Sequence, residues 1–381
     1  MKILYYSWEL SDKDIPQSLS QLGHTVTTLP SAGWKGPESE ELYQAILDRL
    51  ANGFDAVFTM NFFPAIARAC QEKGVLYLSW IWDCPHLTLY SKTAGYSCNR
   101  IFSFDLIQTQ ELLKRRVQVK YLPLAVNTDR LSTLIGASQQ GEKEYQVSFV
   151  GSLKQEEGEE GILGRIRDMP EDLRGYIDGI VEAQLLIYGY DLIGECLSRE
   201  KLLQLVRLAP ITDPEDYETD KPGVYADWIR KKCTILERKR LLTEVSSRFP
   251  LTLASPKDPG ISGVQYLGLV DYATKMPLVF ARSRINLNLT MRTIRHGIPL
   301  RVLDVLGAGG FLITNYQPDF DNYFTNGKEL VWFESKEQLL ELIDYYLRNE
   351  EERDRIAKEG QRRAAQIFNY PSILKELFSQ I

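Results

Sequence analysis

The chain has 381 residues, 44% of them hydrophobic and 25% charged, with a formal net charge of −6. That length suits two domains of ordinary size. The acidic balance argues against general affinity for nucleic acid or anionic membrane, yet it allows a local basic pocket.

Cys70, Cys84, Cys98, Cys196 and Cys233 are scattered, odd in number and without a close C-x-x-C pair. They argue against a disulfide framework or a zinc site, and they suit a reducing, cytoplasmic setting. The amino terminus, MKILYYSWELSDKD, reads as a first strand and not as a signal peptide. No apolar run approaches the ~20 residues of a membrane span.

Through the first third, strands are expected at Lys2–Trp8, His24–Leu29, Asp55–Met60, Val75–Trp82, Arg100–Phe104 and Val119–Leu122. Helices are expected at Glu38–Ala51, Pro64–Lys73 and Leu106–Arg115. Such alternation implies a parallel, doubly wound sheet. Leu131–Glu144 is polar, holds two glycines and lacks a period, so it reads as a linker between domains 1–130 and 145–368. A second alternating unit opens with YQVSFVGSL at Tyr145. It continues through helical regions at Met169–Leu208 and Tyr225–Arg248 to strands at Leu251–Ala254 and Gly263–Tyr266. Val331–Phe333 reads as a strand, and Lys336–Arg348, Glu350–Phe368 and Tyr370–Ile381 as helices. Two acidic stretches, Gln155–Gly164 and Ile211–Gly223, read as solvated loops or mobile lids.

The richest segment is Ile285–Thr314, INLNLTMRTIRHGIPLRVLDVLGAGGFLIT. It reads as a buried strand, an arginine-studded loop, a helix opened by Pro299, a stop at Gly309–Gly310 and another strand. A strand, a basic loop and a helix N-terminus form an anion-binding device. Arg292, Arg295 and Arg301 crowd the end of the helix dipole where a cation is unfavourable, which a bound diphosphate explains. Arg301 and Asp304 share a helix face. Their alternatives are a ribose-and-phosphate site or a surface pair contributing only ~0.3–0.5 kcal/mol.

Two doubly wound domains place the carboxyl edges of their sheets toward a shared cleft, and ligands bind beyond such edges. In the first domain those ends carry Ser7, Trp8, Glu9, Asn61, Asp105, Asn127 and the run WIWDCPH. Asp83 or His86 in that run is a candidate base for an acceptor hydroxyl, or else part of a structural turn. Asp105 reads foremost as a helix cap. In the second domain Gly151 permits close approach to a phosphate, and Gly268 lies where backbone groups read a base. Tyr266 or Tyr272 either stacks on that base or packs locally. Asp319-Phe320-Asp321 spells a D-x-D but offers too few ligands for a hard cation. Hydrolase, NTPase, zinc-protease and dinucleotide-binding motifs are missing.

RTIRHGIPLRVLDVLGAGGFLITNYQPDF, then YFTNGKELVWF and LLELIDYYLRNEEERDRIAKEGQRRA, resemble the C-terminal half of the group 1 glycosyltransferases. More narrowly they resemble the spore-maturation-protein-like branch of the GT-B enzymes, and FVGSL, YLGLV and LPLAVNTDR are similar to its other landmarks. The resemblance implies an α/β fold of two Rossmann-like domains facing a cleft, and metal-independent transfer from a nucleotide-diphosphate sugar to an acceptor hydroxyl. It implies no cofactor beyond that donor, and a protein, glycan or small-molecule acceptor. The implied donor contacts are Gly151, Ser152, Tyr266, Gly268, Arg292, Arg295, Gly297, Ile298, Arg301 and Asp304. Asp304 falls where many retaining members carry the second of two glutamates, and His296 falls where they carry the first. The final helix is expected to return to the first domain. An epimerase on the same architecture, or a non-catalytic binding subunit, is the alternative.

Overall fold

The computed structural model describes residues 1–7, 13–31, 36–138, 143–153, 169–212 and 217–381. By its internal contacts the chain divides into two units. Unit 1 comprises Met1–Ala125, Thr212–Asp220 and Ile367–Ile381; unit 2 comprises Val126–Ile211 and Lys221–Gln366.

Among the described residues unit 1 holds six strands: β1 (Lys2–Ser7), β2 (Thr25–Pro30), β3 (Ala56–Met60), β4 (Leu76–Ile81), β5 (Asn99–Ser103) and β6 (Val119–Tyr121). They lie parallel in the order β2-β1-β3-β4-β5-β6. The central strands are near-continuous apolar runs because helices cover such a sheet on both faces. Ser39 caps the Glu40–Leu50 helix by accepting from the Leu42 amide. Pro64 opens the Pro64–Lys73 helix and left-handed Gly74 closes it. Asp105 caps the Leu106–Lys114 helix through the Gln108 amide at 2.8 Å, as expected. A short helix at Asp14–Gln21, missing from the sequence reading, buries Ile15 and Leu19. The Tyr370–Ser379 helix packs in this unit, with Tyr370 edge-on to Trp80 and Phe378 stacked on His24.

Unit 2 holds β7 (Tyr145–Val150), β8 (Leu251–Ala254), β9 (Gln265–Tyr266), β10 (Ser283–Asn288), β11 (Leu312–Asn315) and β12 (Val331–Phe333). These are parallel too, ordered β12-β11-β10-β7-β8-β9. Between β7 and β8 the region expected as one helical stretch is three helices, Glu171–Leu185, Leu192–Cys196 and Arg199–Leu208. They form a separate apolar cluster with Tyr225, Ala226, Ile229 and Cys233 of the long Lys221–Arg248 helix. Leu241, Leu242 and Val245 of the same helix join the sheet core instead. One 28-residue rod therefore serves two cores.

Two expectations are corrected. Leu131–Glu144 is not a bare linker, since a helix runs through Thr128–Ala137, capped by Asn127 and anchored by buried Leu131. The described part of Ile211–Gly223 is pinned, not free. Tyr217 bridges Ser91, the Glu218 amide donates to the Tyr90 carbonyl at 3.0 Å, and Arg115 Nη2 donates to the Glu218 carbonyl at 2.7 Å. Trp8, Glu9 and Gln155–Gly164 lie outside the described residues. No cysteine forms a disulfide, and no described helix is long and apolar enough to cross a membrane.

Candidate functional site

In unit 2 the strand order reverses between β7 and β10, the place beyond whose carboxyl ends open α/β sheets take ligands. Arg238 of the long helix ties both strand ends. Its Nε and Nη2 donate to the Leu289 carbonyl at 3.1 and 2.6 Å, and its Nη1 donates to the Ser152 carbonyl at 2.8 Å. Burial pushes this guanidinium down to about 10; Glu237 pulls it up, and the like charge of Arg301 lowers it further.

The preceding residue, Glu237, holds Arg292. Arg292 Nε and Nη2 donate to the two Glu237 oxygens at 3.0 and 2.7 Å, and Nη1 donates to the Ile187 carbonyl at 2.7 Å. The guanidinium also lies over the Tyr188 ring, and the Arg292 amide donates to Thr234 Oγ1 at 2.8 Å. Burial opposes the charge on Arg292, but Glu237 outweighs it and holds the guanidinium above its ordinary value.

Pro299 stands at the N-cap of the Leu300–Gly307 helix, and Gly309, at φ 69°, lets the chain turn away after it. Arg301 donates through Nη1 to Asp304 Oδ2 at 3.1 Å and to Met276 Sδ. The guanidinium lies over the Phe280 ring, and its Nε and Nη2 have no hydrogen-bond partner among the described residues. The Tyr272 hydroxyl donates to Asp304 Oδ1 at 3.0 Å. The Asp304 side chain is 8% exposed, so the surface-pair reading fails. Burial raises its carboxyl to about 6 against the opposing pull of Arg301, Tyr272 and Arg130. His296 Nε2 lies 3.7 Å from Oδ1 of buried Asp319. Asp319 also accepts from Asn322, while Asp321 accepts from Tyr316, so each carboxylate of the D-x-D has a local partner.

In unit 1 the strand order reverses between β1 and β3. Asn61, just past β3, takes the left-handed conformation at φ 62°, which asparagine tolerates better than most residues. Its Oδ1 accepts from the amides of Trp82 and Asp83, and its Nδ2 donates to Asp83 Oδ2 at 2.8 Å. The Phe62 amide donates to His86 Nε2 at 3.1 Å. Nε2 also lies 2.7 Å from Thr88 Oγ1 and 3.3 Å from the Phe62 carbonyl oxygen, and Nδ1 lies 4.0 Å from Asp83 Oδ2. Burial lowers the His86 pKa, with Asp83 and the Phe62 carbonyl opposing, and keeps the ring neutral. The Asp83 side chain is 67% exposed and that of His86 only 14%. Asp83 is thus the accessible member of the pair, with Asn61 and His86 behind it.

Residues 233–379 match the family model described as "Glycosyl transferase-like". That segment is glycosyl transferase-like. No curated protein matches the sequence. Over its whole length the chain shares the fold of solved GT-B proteins. Sucrose-phosphate synthase from Thermosynechococcus elongatus has a TM-score of 0.55 at 10% identity, covering 100% of this chain and 98% of that one. HepE from Anabaena, solved with UDP-glucose, gives 0.53 at 12%, covering 100% and 99%. A glycosyltransferase from Rickettsia africae gives 0.53 at 11%, covering 100% and 97%. The chain resembles the GT-B glycosyltransferases in fold throughout and in sequence over this segment.

The glycosyl transferase-like segment begins on the long helix, so it contains Glu237 and Arg238, which the sequence reading passed over inside a charged run, LERKR. Of the expected donor contacts, Arg301 and Asp304 come together, and the Ser152 carbonyl and the end of β10 meet at Arg238. Arg292 does not join them, because its donors are held by Glu237 and Ile187. The Ile298 side chain is core, leaving only its main chain to meet a ligand. Tyr266 turns its hydroxyl to the Ser255 carbonyl at 2.9 Å. Gly268 takes φ 72°, and Gly297 is buried. At Gly151 a Cβ would come within 2.9 Å of the Phe149 ring, so packing alone accounts for this glycine. Arg295 is half-buried, and its charge bears on Arg230 of the Asp191–Arg230–Asp227 network.

Glu237→Ala strands the buried Arg292 charge and is expected to cost about 3–5 kcal/mol of stability. Urea unfolding checks this, and a loss below about 1 kcal/mol shows that the pair does not hold the loop. Asp304 binds its proton more tightly folded than unfolded, about 6 against an ordinary 3.8. Its contribution is therefore fully present below the lower value and is lost as pH rises through the upper one. Denaturation between pH 4 and 7 should show Asp304→Asn flattening that decline. A profile identical to the wild type excludes the raised carboxyl.

Proposed function

We propose that the chain is a glycosyltransferase that moves a sugar from a nucleoside-diphosphate donor to an acceptor hydroxyl. The observation that carries this reading is the pair of cations at the unit 2 switch point, Arg301 and the Arg238 on which its charge bears, within a glycosyl transferase-like sequence. As the bond from the anomeric carbon to the diphosphate oxygen breaks, negative charge grows on the leaving group. The uncommitted donors of Arg301 and the first-turn amides of its helix meet that charge. Asp304 orients Arg301 and offers its remaining lone pairs to ribose hydroxyls. His296, steadied by Asp319, stands on the same loop for the sugar or the phosphate. These groups do without a metal the work that a divalent cation does in other transferases.

In unit 1, Asp83 receives or orients the acceptor proton. Its exposure and its two supports, Asn61 and His86, favour it over His86, whose Nε2 is already engaged by the Phe62 amide. Uridine is the base to test first, because HepE was solved with UDP-glucose.

Calorimetric titration with UDP should show binding to the wild type and at least tenfold weaker binding to Arg301→Ala, with the far-ultraviolet circular dichroism unchanged. Equal affinity in the two proteins removes Arg301 from the site. Donor turnover, assayed in excess EDTA, should persist in the wild type and fall by about 10²–10⁴ in Asp83→Asn. His86→Gln should lose much less. An equal loss in both variants, or binding with no turnover across acceptors, overturns the assignment of Asp83.

A further inference from the structure

At the opposite edge of the unit 2 sheet, where the strands begin, lies a cavity of about 420 Å³ that the donor site does not use. Lys143, just before β7, Arg282 at the end of the Met276–Arg282 helix, Arg284 in β10 and Lys358 on the Glu350–Ile367 helix line it, with Asp354 as the one carboxylate among the described residues of the wall. Among the described residues four cations therefore line it, with Asp354 in the wall and Glu144 and Glu350 bearing on Arg282 and Lys143. Asp354 is drawn toward Arg353, 3.6 Å away and almost wholly buried. Arg282 has a partial counter-ion in Glu144 at 3.5 Å. Lys143 donates to the Ala281 carbonyl at 2.7 Å, and burial lowers its pKa, with Asp354 and Glu350 raising it and Arg353 lowering it. Arg284 and Lys358 have no hydrogen-bond or ionic partner among the described residues.

Like charges gathered around a concavity repel one another and draw in anions. Surface lysines scattered on helices need no such account, but here cations from four separate segments converge on one concavity. Its volume falls within the roughly 300–1,000 Å³ of small-molecule pockets. Lysine with arginine suits a phosphate, since the guanidinium supplies a fork and the ammonium a point charge. Glu144 and Asp354 offset part of this charge, and Arg284 and Lys358 are left to meet an incoming anion. Gln361, also in the wall, donates to the Gly307 carbonyl at 3.2 Å. The cavity thus adjoins the far end of the helix that carries Arg301.

We propose that this cavity is a binding site for a small phosphorylated ligand, its phosphate held by Lys143, Arg284 and Lys358. The site is separate from the donor cations and stands independently of the transfer reaction.

The probe is inorganic phosphate, titrated calorimetrically into the full chain at fixed ionic strength, with acetate as the control anion. Saturable phosphate binding is expected in the wild type, changed less than twofold by Arg301→Ala and weakened at least tenfold by Arg284→Ala with Lys358→Ala. Acetate should give no saturable heat. Circular dichroism checks the fold of the double variant, and Lys358→Glu at an exposed position makes the same comparison if that variant unfolds. The proposal is overturned if phosphate does not bind, if the cavity variants bind it unchanged, if Arg301→Ala abolishes its binding, or if acetate binds as well.

Discussion

The buried pair between Glu237 and Arg292 is the constraint on which the unit 2 site depends. A guanidinium with so little exposure is costly to bury without a carboxylate beside it, and Glu237 is fixed by its place on a helix anchored in two apolar clusters. The pair fixes where the loop after β10 leaves the sheet, and the Thr234 contact to the Arg292 amide fixes it again. Arg238, one residue after Glu237, then reaches the carbonyls ending β7 and β10 with no freedom of its own. Replacing such a pair with apolar residues is often neutral in stability, so its worth here lies in specifying geometry.

This dependence explains a division of labour among the arginines that residue type alone does not show. Arg292 holds the loop, Arg238 clasps the strand ends, and Arg301 keeps donors uncommitted among the described residues. In unit 1 the same logic recurs with neutral groups. Asn61 joins the ends of β3 and β4 through its own amide, and the left-handed backbone at that position makes the contact possible.

Much of the fold was legible because its signals are local. Pro64 and Gly74 bracket one helix, Asp105 caps another, and Pro299 with Gly309 delimits the helix carrying Arg301. Alternation of apolar runs with amphipathic segments sufficed for two parallel sheets. What escaped depends on distant partners. Nothing near LERKR shows that Glu237 and Arg238 turn inward, because the groups they meet lie about 50 or more residues away. The same holds for Arg292, which looks like its neighbours Arg295 and Arg301 until Glu237 is placed beside it. Leu131–Glu144 read as a linker because its polar residues outnumber the buried Leu131, yet one capped turn at Asn127 starts a helix there.

The path of the chain has a consequence for how the protein is made. Unit 1 takes its sheet from the first 125 residues, but Thr212–Asp220 and Ile367–Ile381 also belong to it. A ribosome that has delivered the first sheet has not yet supplied the segment at Tyr217 or the aromatic ring of Tyr370 that packs on Trp80. Unit 2 emerges between these instalments. Unit 1 is therefore completed only after the last residue of unit 2 has been made.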